Sequence, residues 1–345
     1  MLIHNIKVIV TGIQGKNINN IGGLRDMGVT KNRQSLETIQ IMVDEAFPGY
    51  NILELNELTE GLCNVAYLLV LDNDKKTILK IAPKDKHTLL TNEVNMMKAE
   101  IKAMQLSREY TDVPVAEVYR YDDTCTICDS EYFFMEVLDG QSYFSMKNTL
   151  TQEVISQVDY EVGMIEKKIT SVKGEKFGLM GDSEHWTDNL YDMTYAMLCG
   201  VLKDAQEKNI FICFSAEEIL AELTMDKSCF LEVTQSVFVH WDMWEGNIFL
   251  KDGHVCGIID WERALWGDAL MDDRFRRHTR NDDFLKGFGQ EDFSKEEMRR
   301  ICWYDVFLYL TMMTEGAYRE YEDDGQYQWV KPLFEASFCE IKNRK

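Results

Sequence analysis

The sequence predicts an α+β fold of two lobes, in which a small antiparallel β-sheet N-lobe precedes a mostly helical C-lobe. Strand-like apolar segments separated by turn residues fill much of the chain before Gly140. After Gly140, apolar residues recur at the three- and four-residue spacing of helices. Residues 236–260 interrupt the helical part with two short strands that are joined by Lys251-Asp252-Gly253. A hairpin embedded in a helical lobe is thus the third feature of the predicted fold.

The composition indicates a folded, acidic, soluble protein. Its 345 residues include 37 Lys and Arg against 59 Asp and Glu, which gives a net charge of −22. This charge argues against a nucleic-acid partner, because binding to phosphates needs a basic surface. Nine cysteines without regular spacing indicate a reducing compartment, and no apolar run approaches the ~20 residues of a membrane helix. We therefore expect a cytoplasmic protein without a membrane partner, whereas the oligomeric state is left open.

Three segments are expected along the chain. Residues 1–26 combine a short apolar stretch with an Asn- and Gly-rich stretch, and we expect a poorly structured extension there. More ordinary sequence begins at Met27, which is therefore a candidate for the true first residue. The N-lobe is expected over residues 27–137, and the C-lobe over residues 138–345.

Spacing and turn signals predict the elements of the N-lobe. Residues 35–46 form a predicted helix, because their apolar positions recur at helical intervals and Pro48-Gly49 follows. Two apolar segments that flank Asp72-Asn73-Asp74 predict a hairpin. The predicted segments are strands 65–71 and 77–82, a helix at about 88–108, and the extended segments 115–121 and 131–137.

Helices dominate the predicted C-lobe. Apolar residues form one helical face over residues 154–169 and another over residues 190–201. The pairs Ser215…Glu218 and Ser294…Glu297 have the spacing of capping boxes, in which side chains satisfy the free amides at a helix start. We therefore expect further helices to begin at these two places.

The residues that carry chemistry lie between Val237 and Asp268. His240, Asp242 and Asn247 follow an apolar strand, and Asp260 ends the apolar segment after the hairpin. The Asp242 carboxylate could accept a proton from a hydroxyl nucleophile. Asn247 and Asp260 offer the hard oxygen ligands that Mg²⁺ prefers. Phosphoryl transfer needs little else, because the protein mainly aligns the attacking oxygen and neutralises phosphate charge.

This stretch resembles a known family. The order HxDxxxxN, a short hairpin, IDWE and then GD is similar to that of the aminoglycoside phosphotransferase and choline kinase family, small-molecule relatives of the protein kinases. The resemblance implies a protein-kinase-like two-lobed fold. It also implies that Asp242 is the catalytic base and that His240 supports the catalytic loop. Asn247 and Asp260 would be the Mg²⁺ ligands.

Earlier parts of the chain match the family's nucleotide-binding elements. The segment LTEGLCN lies between two predicted strands, as the family's phosphate-covering loop does, and it contributes Gly61 and Asn64. Lys80 falls on the third strand, where the kinase fold has its phosphate-binding lysine. An acid of the following helix has to orient this lysine. The family-like spacing to the next VP dipeptide favours Glu100 over Glu93.

The resemblance also covers the link between the lobes. The segment FFMEVLDG, residues 133–140, looks like the hinge of the family. By that match Met135 lies behind the adenine. The backbones of Glu136 and Leu138 would then form hydrogen bonds with the base.

Two positions depart from the family pattern, although neither carries a reacting group. Trp241 stands where Gly is more frequent, and Ala269 stands where Pro usually follows GD.

The resemblance as a whole implies an ATP- or GTP-dependent kinase that transfers the γ-phosphate to a hydroxyl of a small molecule. An amine-bearing acceptor, such as an aminoglycoside-like molecule, is favoured by the carboxylates of the C-lobe: Asp272, Asp273, Asp282, Asp283, Glu320, Glu322, Asp323 and Asp324.

Two other functions are weighed against this one. A pseudokinase or nucleotide-sensing module would have no need of the base, so the presence of Asp242 counts against it. A protein kinase is disfavoured because the chain lacks an APE motif, a long activation segment and the fuller glycine loop. The identity of the acceptor is not encoded in a readable pattern.

Overall fold

The computed structural model of the protein describes residues 30–58, 63–84 and 86–343. The extension expected over residues 1–26 lies outside the described residues, and so does Gly61 of the expected phosphate-covering loop. Within the described residues, an antiparallel sheet dominates the N-lobe and helices dominate the C-lobe. The predicted α+β fold class is thereby confirmed.

The N-lobe combines one antiparallel sheet with two helices. Its elements are α1 (Leu36–Ala46), β1 (Ile52–Leu58), β2 (Val65–Leu71), β3 (Lys76–Ile81), α2 (Met96–Tyr110), β4 (Val118–Asp122) and β5 (Tyr132–Met135). The five strands have the order β1-β2-β3-β5-β4. Side chains alternate between the faces of the sheet, so Phe134 packs with α1 whereas Phe133 joins the core shared with α2 and the C-lobe.

The helix predicted from about residue 88 begins only at Met96. Asn95, directly before it, has a φ of +46°, a left-handed conformation that Asn tolerates better than most residues. Thr91 donates its backbone amide (2.8 Å) and its hydroxyl (2.5 Å) to the carboxylate of Asp204 in the C-lobe. These contacts hold the segment before α2 outside a helix, and the spacing of apolar residues in the sequence gives no information about them.

The C-lobe contains eight helices and six short strands among the described residues. The helices are α3 (Tyr143–Met146), α4 (Gln152–Ile169), α5 (Leu190–Glu207), α6 (Ala216–Met225), α7 (Lys227–Leu231), α8 (Asp282–Phe288), α9 (Lys295–Tyr318) and α10 (Gly325–Lys342). The strands are β6 (Gln141–Ser142), β7 (Gly178–Leu179), β8 (Val237–Val239), β9 (Ile248–Lys251), β10 (His254–Ile258) and β11 (Leu265–Gly267).

Helix α9 begins at Ser294 with the predicted capping box, and Ser215 accepts a hydrogen bond from the Glu218 amide (3.1 Å) at the start of α6. The predicted hairpin is formed by β9 and β10, and β6 extends it to three strands. A Cβ atom at Gly257 would lie 2.3 Å from Leu138, so a glycine there lets the hairpin pack closely against the segment that links the lobes. Among the described residues, none of the helices combines the length and the apolar composition needed to span a bilayer.

Candidate active site

The cleft between the lobes holds one lysine among three carboxylates, and these four residues are called the Lys80 cluster: Lys80, Glu100, Asp260 and Glu262. Lys80 lies on β3, Glu100 lies on α2, and the other two follow β10. The Lys80 Nζ atom is 2.8 Å from Glu100 Oε2, 2.7 Å from Asp260 Oδ1 and 3.5 Å from Glu262 Oε2. Although burial lowers the pKa of Lys80, the three carboxylates raise it well above its usual value. The lysine is therefore a fixed cation in the cleft.

Glu100, and not Glu93, is the acid that contacts Lys80. Only 1% of Glu100 is exposed, and this burial raises its pKa although the charge of Lys80 opposes the shift. Glu93 precedes α2 and accepts hydrogen bonds from Arg263 (2.8 Å) and Arg319 (2.6 Å). The structure thus places the two acids with different partners, and the contact expected for Glu100 is present.

His240 connects the two backbone segments that carry the acids of the site. It is fully buried, and its Nε2 lies 3.0 Å from the carbonyl oxygen of Ile259, while its Nδ1 accepts a hydrogen bond from the Asp242 amide (3.2 Å). Burial lowers the pKa of His240 to about 4. A neutral imidazole supplies one donor and one acceptor, which is what these two contacts require. His240 therefore fixes Asp242 relative to the residue that precedes Asp260.

Asp242 lies half-buried in the loop of residues 240–247 that the sequence predicts to be the catalytic loop. Asn247 Nδ2 donates a hydrogen bond to the Asp242 carbonyl oxygen (2.8 Å) and lies 3.4 Å from its carboxylate. Burial raises the pKa of Asp242 well above its usual value, Arg263 opposes this shift, and Asp260 and Asp273 add to it. A carboxylate with a raised pKa is a better proton acceptor than a free one.

Trp241, one of the two departures from the pattern that the resemblance implies, has an unusual backbone conformation. Its φ of +76° lies in the left-handed region, where a residue without Cβ has no steric penalty. The indole ring is nonetheless well packed, because it lies 5.9 Å from the Phe307 ring and 5.3 Å from the Arg263 guanidinium carbon. Packing of the indole ring thus offsets the strain of this backbone conformation.

The oxygens of Asn247 and Asp260 are suited to a hard divalent cation. Because Asn247 Nδ2 donates to the catalytic loop, the amide is oriented, and within the described residues no hydrogen bond reaches its Oδ1. The Ile259 amide donates to the Asn247 carbonyl oxygen (3.0 Å) and so holds this loop beside Asp260. Asn247 and Asp260 therefore offer an amide carbonyl oxygen and carboxylate oxygens, which are the donors that Mg²⁺ prefers.

Asn64 of the expected phosphate-covering loop contacts the same cluster. It is buried, and its Nδ2 donates a hydrogen bond to Glu262 Oε2 (2.6 Å) across the cleft. Its carbonyl oxygen accepts a hydrogen bond from Lys31 Nζ (2.5 Å). Asn64 therefore lies in the cleft beside the Lys80 cluster, with its side-chain amide directed toward a carboxylate of this chain.

The hinge leaves two backbone groups available to a ligand. The Glu136 amide donates to the Glu117 carbonyl oxygen (2.8 Å), and the Leu138 carbonyl oxygen accepts from the Gly140 amide (3.1 Å). The opposite groups, the Glu136 carbonyl and the Leu138 amide, make no hydrogen bond with another described residue. One acceptor and one donor two residues apart match the needs of an adenine edge.

Sequence reasoning missed several residues that the structure brings to the site. Glu262 and Arg263 directly follow IDW, and a signal for them was present in the charge pair that continues this motif. Arg319 had no such signal, because it is distant in sequence from Glu93, which it contacts. Asp273 was among the carboxylates expected to favour an amine, but nothing in the sequence indicated its influence on Asp242.

A two-lobed fold with a lysine–carboxylate pair in the cleft and an Asp–Asn loop before a second Asp defines a kinase-like phosphotransferase. A model of the phosphotransferase enzyme family matches residues 54–272. The protein belongs to this family. The resemblance noted in the sequence and the expected class of enzyme, a small-molecule kinase, are thereby confirmed.

Solved structures share this fold at low sequence identity. A putative aminoglycoside phosphotransferase from Ralstonia eutropha is 13% identical, with a TM-score of 0.60 over 91% of this chain and 100% of its own. The aminoglycoside phosphotransferase APH(4)-Ia, in a complex with AMP-PNP and hygromycin B, is 15% identical, with a TM-score of 0.60 over 89% of this chain and 100% of its own. A putative fructosamine-3-kinase from Thermobifida fusca is 14% identical, with a TM-score of 0.63 over 87% and 98%. A sequence search of curated proteins found no match.

Proposed function

We propose that the protein transfers the γ-phosphate of ATP to a hydroxyl group of an amine-bearing small molecule. One observation carries the proposal: Lys80 of the N-lobe contacts Asp260, whose segment His240 joins to Asp242. The groups that we propose to bind phosphate, Lys80 and Asp260, are therefore held in a fixed position relative to Asp242, the proposed proton acceptor. ATP is favoured over GTP because the similar APH(4)-Ia structure contains the ATP analogue AMP-PNP.

The nucleotide is proposed to bind between the lobes, with residues 27–137 as the nucleotide-binding lobe and residues 138–345 as the catalytic and acceptor lobe. The free Glu136 carbonyl and Leu138 amide would hold the adenine. Lys80 would contact phosphate oxygens while Glu100 keeps its ammonium group oriented. The segment that contains Gly61 and Asn64 would cover the phosphates.

Asn247 and Asp260 would hold Mg²⁺ through the oxygens described above. When bound, the ion neutralises charge on the phosphate oxygens. Although burial opposes it, Lys80 lowers the pKa of Asp260, so this carboxylate is ionised near neutral pH. An ionised carboxylate is what a hard cation requires.

Asp242 would orient the acceptor hydroxyl and take its proton as the O–P bond forms. The neutral His240 and the amide of Asn247 hold the loop that carries Asp242. Positioning of this kind accounts for much of the rate enhancement in phosphoryl transfer, because little covalent chemistry is left to the protein.

The acceptor side of the cleft favours an amine. Asp273 is 8% exposed, its Oδ2 has no hydrogen-bond partner among the described residues, and its charge acts on Asp242. An ammonium group there would compensate a buried carboxylate. Trp329, which is 51% exposed, packs on His278 (5.7 Å between ring centroids), and His278 lies 4.0 Å from Asp273. An exposed indole ring also attracts cations.

Not all of the carboxylates expected to favour an amine share these properties. Asp272 is fully buried, and Asp282 and Asp283 occupy the first turn of α8. The acceptor preference therefore depends on Asp273 more than on the global acidity of the C-lobe.

The function is tested by measuring ADP formation from Mg-ATP with a panel of hydroxylated amines. Hydroxylated molecules of similar size without the amine serve as matched acceptors, and Mg-GTP serves as the matched nucleotide. Turnover that needs the amine and is lost in Asp242→Ala supports the proposal. Binding of Mg-ATP without transfer to any acceptor would instead indicate a nucleotide-sensing module, and transfer to a generic protein substrate would indicate a protein kinase.

A further inference from the structure

A buried ring of four charged residues lies next to the site and is called the Glu93 network: Glu93, Arg263, Glu315 and Arg319. Glu93 Oε1 accepts hydrogen bonds from Arg263 Nη2 (2.8 Å) and Arg319 Nη2 (2.6 Å). Glu315 Oε2 lies 3.1 Å from Arg263 Nη2 and 3.4 Å from Arg319 Nη1. Two acids and two bases thus balance in a closed ring whose side chains are at most 17% exposed. A buried ion pair of this kind is costly to break by removing one partner.

The network joins three parts of the molecule that serve the reaction. Glu93 lies three residues before α2, which carries Glu100. Arg263 lies three residues after Asp260, and its guanidinium packs on Trp241, which precedes Asp242. Glu315 and Arg319 belong to the end of α9 in the acceptor lobe.

The segment around Glu93 makes its polar contacts with the C-lobe rather than with the sheet of the N-lobe. Asn92 Nδ2 donates to the Met197 carbonyl oxygen (2.9 Å), and Asn95 Nδ2 donates to the Gly181 carbonyl oxygen (3.0 Å). A Cβ atom at Gly181 would lie 2.0 Å from the Val94 carbonyl oxygen, so the two backbones approach as closely as a glycine allows. The start of α2 is therefore docked on the C-lobe.

Lys80, in contrast, lies on β3 in the middle of the N-lobe sheet. Its contacts with Glu100 (2.8 Å) and Asp260 (2.7 Å) consequently join the sheet to groups that the C-lobe positions. The pair that orients the lysine therefore depends on where the C-lobe holds α2.

From this arrangement we propose that Glu93 is a positioning residue of the reaction. By binding Arg263 and Arg319, it holds α2 where Glu100 can contact Lys80. The lysine is thereby kept aligned with Asp260 and Asp242. Glu93 touches no reacting atom and acts through these neighbours. The inference rests on the proposed phosphotransferase function, because the position of Lys80 relative to Asp242 matters only if the two residues serve one reaction. Displacement of reacting groups by about 1 Å can cost roughly 100-fold in rate.

The test compares Glu93→Gln with Asp226→Asn. Asp226 is a buried acid of the C-lobe that accepts hydrogen bonds from Arg299 (2.6 Å) and Trp303 (2.8 Å), so both variants remove one charge from a buried pair. Turnover of Mg-ATP is measured per folded molecule, and hydrogen exchange is measured for the amides of α2 and β3. Exchange reports local opening directly and does not need an acceptor.

We expect Glu93→Gln to lower kcat by about 10- to 100-fold and to speed exchange in α2 but not in β3. Its effect should not add to that of Glu100→Gln, because the two act on one pair. Arg319→Lys, which keeps the charge, should lose less activity than Arg319→Met. Asp226→Asn should leave both kcat and α2 exchange near the wild-type values.

Unchanged kcat and unchanged α2 exchange in Glu93→Gln would overturn the inference, and so would an equal loss in Asp226→Asn, because the effect would then be general destabilisation. If the wild-type protein transferred phosphate to no acceptor, the proposed function would fail, and the inference with it, even if the exchange data showed that Glu93 docks α2.

Discussion

Asp260 and Asp242 are acids of the same cleft, yet their surroundings shift their pKa values in opposite directions. Asp260 lies 2.7 Å from Lys80 Nζ, and although burial opposes it, this cation lowers the pKa of Asp260. Burial raises the pKa of Asp242, and Arg263 only partly offsets this because Asp260 and Asp273 add to the shift. Both are partly buried aspartates, so residue type does not explain the difference. The position of the nearest cation does.

The opposite pKa shifts support the different tasks that we propose for the two acids. A carboxylate that stays ionised is suited to bind a divalent cation, whereas one with a raised pKa is suited to accept a proton. The two sides of the cleft can therefore be disturbed separately. The expected effects are largest at Asp242 and smallest for acids that lie behind it.

Removing the proton acceptor should have the largest effect. In Asp242→Ala, turnover should fall by about 10²- to 10⁴-fold, which is the usual contribution of a general base. The affinity for Mg-AMP-PNP should stay near that of the wild type, because the base contacts the acceptor rather than the nucleotide. Steady-state kinetics and calorimetry measure the two quantities. Wild-type turnover in this variant would remove Asp242 from the mechanism.

Removing the Lys80 cation should lower turnover by roughly 10²- to 10³-fold, which is the usual effect of losing one charge-stabilising donor. Lys80→Met keeps much of the apolar stem, so the fold should be retained. Glu100→Gln should cause a similar loss, and the double variant should be far from additive, since the pair acts as a unit. A silent Glu100→Gln would contradict the role of the 2.8 Å contact with Lys80.

Neutralising Asp260 should separate metal binding from nucleotide binding. We expect Asp260→Asn to weaken the affinity for Mg-ATP by about 10- to 100-fold, the range seen when a metal site is perturbed. The affinity for metal-free ATP should change little. Calorimetry of both forms is the measurement, and equal losses would indicate that Asp260 has a structural role.

The raised pKa of Asp242 should be visible in the pH dependence of kcat. Because the base must be ionised, kcat should fall as the pH falls through a value above the usual pKa of an aspartate, about 3.9. Asp273→Asn removes a negative charge and should move this acid limb to lower pH by less than about one unit. A pH profile of both proteins under saturating acceptor checks the shift. An unchanged limb would mean that Asp273 does not act on Asp242.

The smallest expected effect is on the pH dependence of the protein's stability, and it involves the buried acids Asp272 and Glu166. Asp272 and Glu166 are fully buried, neither Glu166 oxygen has a hydrogen-bond partner among the described residues, and burial raises the pKa of Asp272 to about 7. The pKa of Asp272 is higher in the folded state than in the unfolded state, so its protonated form stabilises the fold. This stabilisation is complete below about pH 4 and is lost as the pH rises through about 7. Glu166→Gln should flatten this dependence. Thermal denaturation between pH 4 and 8 measures it, and identical slopes for both proteins would exclude the pair as the cause.

Much of the site could be predicted from the sequence because its chemistry is locally encoded. His240, Asp242 and Asn247 lie within one loop, and the hairpin that separates them from Asp260 is encoded by apolar segments around a turn. Lys80 could be placed on a strand because the apolar segment 77–82 follows the turn residues Asp72-Asn73-Asp74. The expected contact of Lys80 with Glu100 is present, although its choice over Glu93 depended on a resemblance rather than on periodicity.

The sequence by itself therefore determined the order of the lobes, the hairpins and the capped helices, because spacing and side-chain chemistry act over a few residues. Only the tertiary structure decided which groups meet. Glu93 contacts Arg263 and Arg319 across 170 and 226 residues, and Asn64 contacts Glu262 across 198. The contacts of Thr91 with Asp204, 113 residues away, likewise keep the segment before Met96 out of the helix that its spacing predicts. A helical or strand period states which side of an element a residue occupies, but the partner on that side is set by the path of the whole chain and by the balance of buried charges.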